Sequence, residues 1–195
     1  MDDIDDQWNY SQKFDLIHGR MMVPSLNDPR RTFQQAFAAL SPGGFLEMQD
    51  IGMPAISDDG TLEGTALEKW YGHVIAGAKN SGGKDLGVAK IYKSLMEEVG
   101  FVDVQEKRFA WPINSWPKDP HLRKVGIWFQ QDALEFVDTF KMPFMRGLGW
   151  TLEETTAFFV QVKKDLKNTN IHAYQVMRVV IGKKPETDLN DVGSF

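Results

Sequence analysis

A strand–helix–strand pattern near the start of the chain constrains the fold most. Residues 14–18 form a short apolar run after a polar loop, which is typical of a buried strand. Apolar residues then recur at helical spacing and predict a helix over residues 28–40, after which residues 45–49 alternate like a strand. The crossover is long enough for the two strands to run parallel. The sequence therefore favours an α/β fold.

The remaining periodic segments continue this alternation. Helical spacing of apolar residues predicts four further helices, over residues 62–75, 86–99, 122–137 and 151–166. Period-two alternation predicts a strand over residues 101–109, and a high density of β-branched residues predicts another over residues 173–183. Without internal repeats, we expect a single domain over residues 1–185 and a disordered tail over residues 186–195.

Composition excludes several classes of function. The 195 residues include no cysteine, which removes disulfides, thiolate nucleophiles, zinc ribbons and iron–sulfur clusters. A net charge of −5 leaves no basic field for a nucleic-acid backbone. The acidic first residues do not resemble a signal peptide, and no run of about 18 apolar residues predicts a membrane span. We therefore expect a cytoplasmic or nuclear protein.

The residues alone identify no convincing catalytic set. The four histidines lie far apart, without a metal-binding spacing, and no metal site is predicted. His18 stands at the carboxyl end of a predicted parallel strand, where ligands bind in α/β sheets, so ligand contact and a structural role both stay open. Residues 147–149 are interpreted as a loop before a helix cap rather than a phosphate cradle. The Met21–Met22 pair and the aromatic stripe of helix 122–137 are interpreted as core.

Several segments together resemble fungal LaeA-like methyltransferases, a branch of the class I S-adenosylmethionine-dependent family. They comprise residues 14–21, 36–50, 58–61, 100–104, 111–113, 116–119 and 171–174. Segment 36–50 is general to class I enzymes, whereas segments 116–119 and 171–174 narrow the resemblance to this branch. The resemblance implies the last four strands of a Rossmann-like sheet, the final strand antiparallel between its neighbours. Residues 58–99 and 120–168 would form a helical lid on the acceptor side.

The resemblance also implies S-adenosylmethionine as the cofactor. By analogy, Asp3 would accept from the adenine amino group, Ile4 would cover the ring, Trp8 would wall the pocket, and His18 would lie at the same edge. The family's glycine-rich loop and ribose-binding acid have no counterpart in the sequence. Losing such contacts, at about 1–3 kcal/mol each, lowers a micromolar affinity to millimolar or weaker. The first strand would then lie at an exposed sheet edge, which favours self-association.

The implied function is methyl transfer to a small-molecule or protein acceptor in fungal secondary metabolism. The enzyme would mainly align donor and acceptor. No general base stands out in the sequence, and His18 and His172 are the candidates. The alternative is a non-catalytic regulatory or interaction protein derived from a methyltransferase.

Overall fold

The computed structural model describes residues 4–186 as a sheet with associated helices. The strands are β1 (Phe14–Arg20), β2 (Leu40–Ser57), β3 (Val102–Pro112) and β4 (Ala173–Lys183). The helices are α1 (Pro29–Ala39), α2 (Ala66–Gly82), α3 (Tyr92–Val99), α4 (Pro120–Phe136) and α5 (Leu152–Lys167). Short 3₁₀ segments cover Val23–Ser25, Val88–Ile91 and Val137–Phe140, and a π-helical turn covers Pro143–Gly147. None of the helices in this part of the chain is long and apolar enough to cross a membrane.

The strands form one sheet in the order β1-β2-β4-β3. β1 and β2 are parallel. The end of β4 meets the start of β2, where Lys184 N donates to Gly44 O at 2.8 Å. The start of β4 meets the end of β3, where Ile113 N donates to Ala173 O at 3.1 Å. β4 is therefore antiparallel to both neighbours, which confirms the predicted fold class and the predicted place of the final strand.

Local chemistry sets several of the helix ends. The Asp28 side chain accepts from Arg31 N and caps α1, and Pro29 occupies the first helical position. Thr151 and Glu154 form a capping box at the start of α5, where the sequence predicts a helix cap. Gly100 ends α3 with φ of +112°. These ends are set by residues that lie within one turn of each other, which is why the sequence predicts them well.

β2 is longer than predicted at both ends. Residues 41–44 lie between the predicted helix and the predicted strand, and they belong to β2 as an irregular stretch in which Gly43 N donates to Lys184 O. Gly43 has φ of +81°, which a glycine accommodates without strain. At the other end the strand runs on from residue 49 to Ser57, with Ile51 and Ala55 buried. The length of β2 is therefore set by pairing with residues that are distant in the sequence.

The aromatic stripe of α4 is not core, contrary to the prediction. Trp128 is 65% exposed, and Ile127 and Phe136 are also exposed. Gly126 is the buried residue of this helix, and it packs against the backbone of Asn114. Because Gly126 has no side chain, the backbone of α4 approaches Asn114 closely, while large side chains such as that of Trp128 stay exposed to solvent. Met21 is likewise exposed rather than core, in a turn with φ of +55°.

The two glycines around Leu148 have different roles. Gly149 has φ of +74° and forms the loop before the α5 cap, as predicted. Gly147 closes the π-helical turn against α2, where a Cβ would stand 2.1 Å from Gly77 O. In turn, a Cβ on Gly77 would stand 2.3 Å from Pro143 O. Close backbone packing explains Gly147, and phosphate binding is not needed.

The chain divides into two compact units. The first comprises residues 1–51, 88–108 and 178–195, and the second comprises residues 52–87 and 109–177. The first core includes Phe33, Leu46, Tyr92, Met96 and Val180, and the second includes Leu67, Val74, Phe144, Phe159 and Leu166. Of the helices in the expected lid, α3 belongs to the first unit, and α2, α4 and α5 belong to the second. Apart from Glu186, the predicted tail lies outside the described residues.

We expect the purified chain to self-associate through β1. This strand lies at the edge of the described sheet, and Leu16 on it is 58% exposed. An apolar edge strand is a template for pairing with a second copy, whereas an edge lysine opposes it. Light scattering should show oligomers that Leu16→Lys dissociates, while Leu152→Lys, at another exposed leucine, leaves them intact. A monomeric native chain would disprove this expectation.

Candidate functional site

A buried carboxylate organises the turn that follows β1. Asp50 Oδ1 accepts from Val23 N at 3.2 Å, and Asp50 Oδ2 accepts from Tyr92 OH at 3.0 Å. Burial raises the pKa of Asp50 above its ordinary value of 3.8, although these hydrogen bonds partly oppose the rise. Burial and the neighbouring Asp50 also raise the pKa of Tyr92. The turn at the carboxyl edge of β1 is therefore held by a buried polar contact that the sequence analysis did not identify.

His18 lies within β1, opposite Glu47 of β2. Its Nε2 atom is 3.6 Å from Glu47 Oε1, and that oxygen also accepts from Gln49 Nε2 at 2.6 Å. The His18 ring is exposed enough to reach a ligand. A ligand role for His18 thus remains a prediction, with Glu47 as the acidic neighbour that a bound group would meet.

The structure brings two predicted adenine-binding residues together. Trp8 Nε1 donates to Ile4 O at 3.1 Å, and Trp8 N donates to Gln35 Oε1 at 2.9 Å. The adjacent Asp5 accepts from Asn27, which lies just before α1 and after the carboxyl end of β1. Ile4 is therefore held near the edge where ligands bind in α/β sheets. The third predicted residue, Asp3, lies outside the described residues.

A second cluster, in the second unit, is built around His172 and Asp59. His172 Nδ1 is 2.6 Å from Asp59 Oδ2, and His172 N donates to Thr61 Oγ1 at 2.8 Å. Asp59 Oδ1 also accepts from Ser57 Oγ and from Thr61 Oγ1, each at 2.7 Å. The hydrogen bonds from Ser57, Thr61 and His172, in that order, hold the pKa of Asp59 well below its ordinary value. Asp59 therefore remains an anion beside the imidazole.

Aromatic residues border this cluster. The Trp116 ring lies 5.1 Å from the His172 ring, with an interplanar angle of 37°, and Trp116 Nε1 donates to Ala173 O at 2.9 Å. Tyr174 OH donates to Asp58 at 3.0 Å. These residues come from segments 58–61, 116–119 and 171–174, which the resemblance identified separately and which the fold brings together. The signal for Asp59 was therefore present in the sequence, although its pairing with His172 was not.

His18 belongs to the first unit and His172 to the second. Among residues 4–186, no group of three or more histidine, aspartate or glutamate side chains could hold a metal ion.

Comparison with known proteins identifies the family. A family model described as a methyltransferase domain matches residues 1–106, more than half of the chain. The chain belongs to the methyltransferase domain family. The segment that this family model matches includes β1, α1, β2 and α3, and so contains the Asp50 and His18 positions.

The "Probable methyltransferase tdiE" of Emericella nidulans is one relative of this chain. The two sequences are 35% identical, and the match covers 97% of this chain and 60% of tdiE. The "Secondary metabolism regulator laeA" of Aspergillus flavus is 28% identical over 94% of this chain and 50% of laeA. The chain thus spans 60% or less of the length of these two relatives. The solved [4+2]-cyclase SpnF superposes with a TM-score of 0.48 at 12% identity, covering 96% of this chain and 56% of SpnF.

Proposed function

We propose that this chain acts in S-adenosylmethionine-dependent methyl transfer in fungal secondary metabolism, in the cytoplasm or nucleus. The match of the methyltransferase family model to residues 1–106 carries this proposal. Relatives named as a probable methyltransferase and as a regulator of secondary metabolism support the metabolic context. The acceptor is a small molecule or a protein side chain.

The Ile4 and Trp8 pair fits one part of the cofactor, its adenine ring. S-adenosylmethionine supplies a methyl group on a sulfonium when it is bound. Ile4 and Trp8 lie side by side and are only half-buried, so an adenine ring can reach them, with Asp3 as the acceptor for its amino group. Asp50 keeps the neighbouring turn in place. Ile4 and Trp8 therefore offer an adenine contact, and a contact of this size by itself supports weak binding.

Saturation-transfer NMR with S-adenosylhomocysteine tests this proposal. We expect saturation of the adenine protons at millimolar ligand, and no measurable heat by calorimetry at micromolar ligand, because the proposed adenine contacts alone support weak binding. Trp8→Ala and Asp3→Ala should each remove the adenine signal, whereas Trp128→Ala, at an exposed position on α4, should keep it. Near-ultraviolet circular dichroism checks that each variant is folded.

Two outcomes would overturn the adenine assignment. One is the absence of adenine saturation in the folded chain, and the other is saturation that Trp8→Ala leaves unchanged. Micromolar binding that Asp3→Ala abolishes would instead indicate a complete cofactor site in place of the weak, partial site proposed here.

A non-catalytic interaction protein is the second candidate. The exposed face of α4, with Ile127, Trp128 and Phe136, favours it, because exposed aromatic side chains of this kind often mark binding surfaces. One relative is also named as a regulator. This candidate predicts no adenine saturation at any ligand concentration, so the same NMR experiment separates the two functions.

A further inference from the structure

We propose that His172, oriented by Asp59, accepts a proton from a phenolic or enolic hydroxyl group bound beside Trp116. The inference rests on the proposed function, because it identifies the acceptor class of that methyl transfer. It concerns the second unit alone.

The contact with Asp59 determines which ring nitrogen of His172 is basic. Because Asp59 stays an anion, Nδ1 keeps its hydrogen and donates it across the 2.6 Å contact. The lone pair is then on Nε2. When Nε2 takes a proton, the same carboxylate stabilises the imidazolium, as in other histidine–aspartate pairs. The pair is therefore arranged for a histidine that accepts protons at Nε2.

The ring is fixed in orientation while Nε2 stays available. His172 N is bound to Thr61, and the ring lies on Trp116, whose own position is set by Ala173 O. Among residues 4–186, no side chain or backbone group is hydrogen-bonded to Nε2, and the His172 side chain is 42% exposed. A purely structural contact would need Nδ1 and the backbone only. A base needs this combination of a fixed ring and an open Nε2.

The acidity of the proton donor follows from the base. A neutral imidazole is a weak base, so it removes a proton most readily from the more acidic hydroxyl groups, which are those of phenols and enols. Aliphatic hydroxyls are far weaker acids and match this base poorly. In the step, the O–H bond breaks, the proton moves to Nε2, and the oxygen keeps the electron pair. The imidazolium later releases the proton to water.

The probe para-nitrophenol tests the assignment, because its phenolate absorbs visible light and its phenol does not. At a pH slightly below the pKa of the free probe, adding the protein should raise the phenolate absorbance to a saturating level. His172→Gln keeps the size and polarity of the side chain and should abolish the rise. Asp59→Asn should weaken the apparent affinity by about tenfold, the loss expected for one charge-assisted hydrogen bond. The control His121→Gln, at an exposed histidine at the start of α4, should behave as the native chain.

A second measurement does not depend on any variant. The nitrogen-15 shifts of the His172 ring should move to the imidazolium values when the probe binds. An unchanged absorbance with the native chain, unchanged ring shifts, or a rise that persists in His172→Gln would each overturn the inference. If adenine saturation is retained in that case, only the base assignment fails. Loss of adenine saturation in the folded native chain contradicts the proposed function instead.

Discussion

Gly126→Ala is expected to lower the free energy of unfolding by about 3 kcal/mol or more. A Cβ at this position would stand 2.0 Å from Asn114 O and 2.7 Å from Asn114 C. Both are backbone atoms, so no rotamer change can make room, and α4 must move away from the end of β3. Urea unfolding monitored by circular dichroism measures the change.

Gly72→Ala is the matched control for this substitution. Gly72 lies inside α2, and no atom lies within 4 Å of the place that its Cβ would occupy. Alanine is a better helix former than glycine, so the control should stabilise the protein by about 0.5–1 kcal/mol. Equal effects of the two substitutions would refute the close packing of α4.

The second large effect concerns Asp50→Asn and depends on pH. Since the pKa of Asp50 is raised in the folded state, its contribution to stability is complete below the ordinary carboxyl pKa of 3.8 and is lost as the pH rises through the raised value. Asparagine carries no such charge, so the stability of the variant relative to the native chain should increase from acidic to neutral pH. Asp50→Ala should cost about 2–4 kcal/mol in acid, because it leaves Val23 N and Tyr92 OH unpaired, and this cost should decrease toward neutral pH for the same reason.

Asp59→Asn should show the opposite sign. The pKa of Asp59 is lowered, so its contribution is present above 3.8 and is lost as the pH falls below that value. The variant should therefore be destabilised at neutral pH and approach the native chain in acid. Chemical unfolding at several pH values follows both variants, and parallel profiles for the two would contradict the assignments.

The sequence predicts those parts of the fold that local chemistry determines. The α1 cap at Asp28, the capping box at Thr151 and the β4 bounds all depend on neighbouring residues. The length of β2 and the exposure of Trp128 depend on distant partners, namely the pairing of Gly43 with Lys184 and the contact of Gly126 with Asn114. Hydrophobic periodicity reports which residues form a helix face, but not whether anything covers that face.

The candidate sites were predictable to different degrees. His18, Ile4 and Trp8 were named from strand position and resemblance, and the roles assigned to them stay predictions. His172 was named without a partner, because Asp59 is 113 residues away along the chain. Asp50 was missed altogether, since a single acid at the end of a strand carries no signal until the fold buries it against Tyr92.

The contact between Gly77 and Gly147 restricts how this protein can diverge. At most tightly packed pairs of positions in a protein interior, a larger side chain at one position can be compensated by a smaller side chain at the other. Here the atom that an added Cβ would contact is a backbone oxygen, which is Gly77 O for Gly147 and Pro143 O for Gly77. No substitution makes a backbone atom smaller. Neither glycine can be rescued by a second substitution at its partner. Invariance of these two glycines across a lineage would therefore reflect steric necessity, and would give no evidence that they take part in methyl transfer.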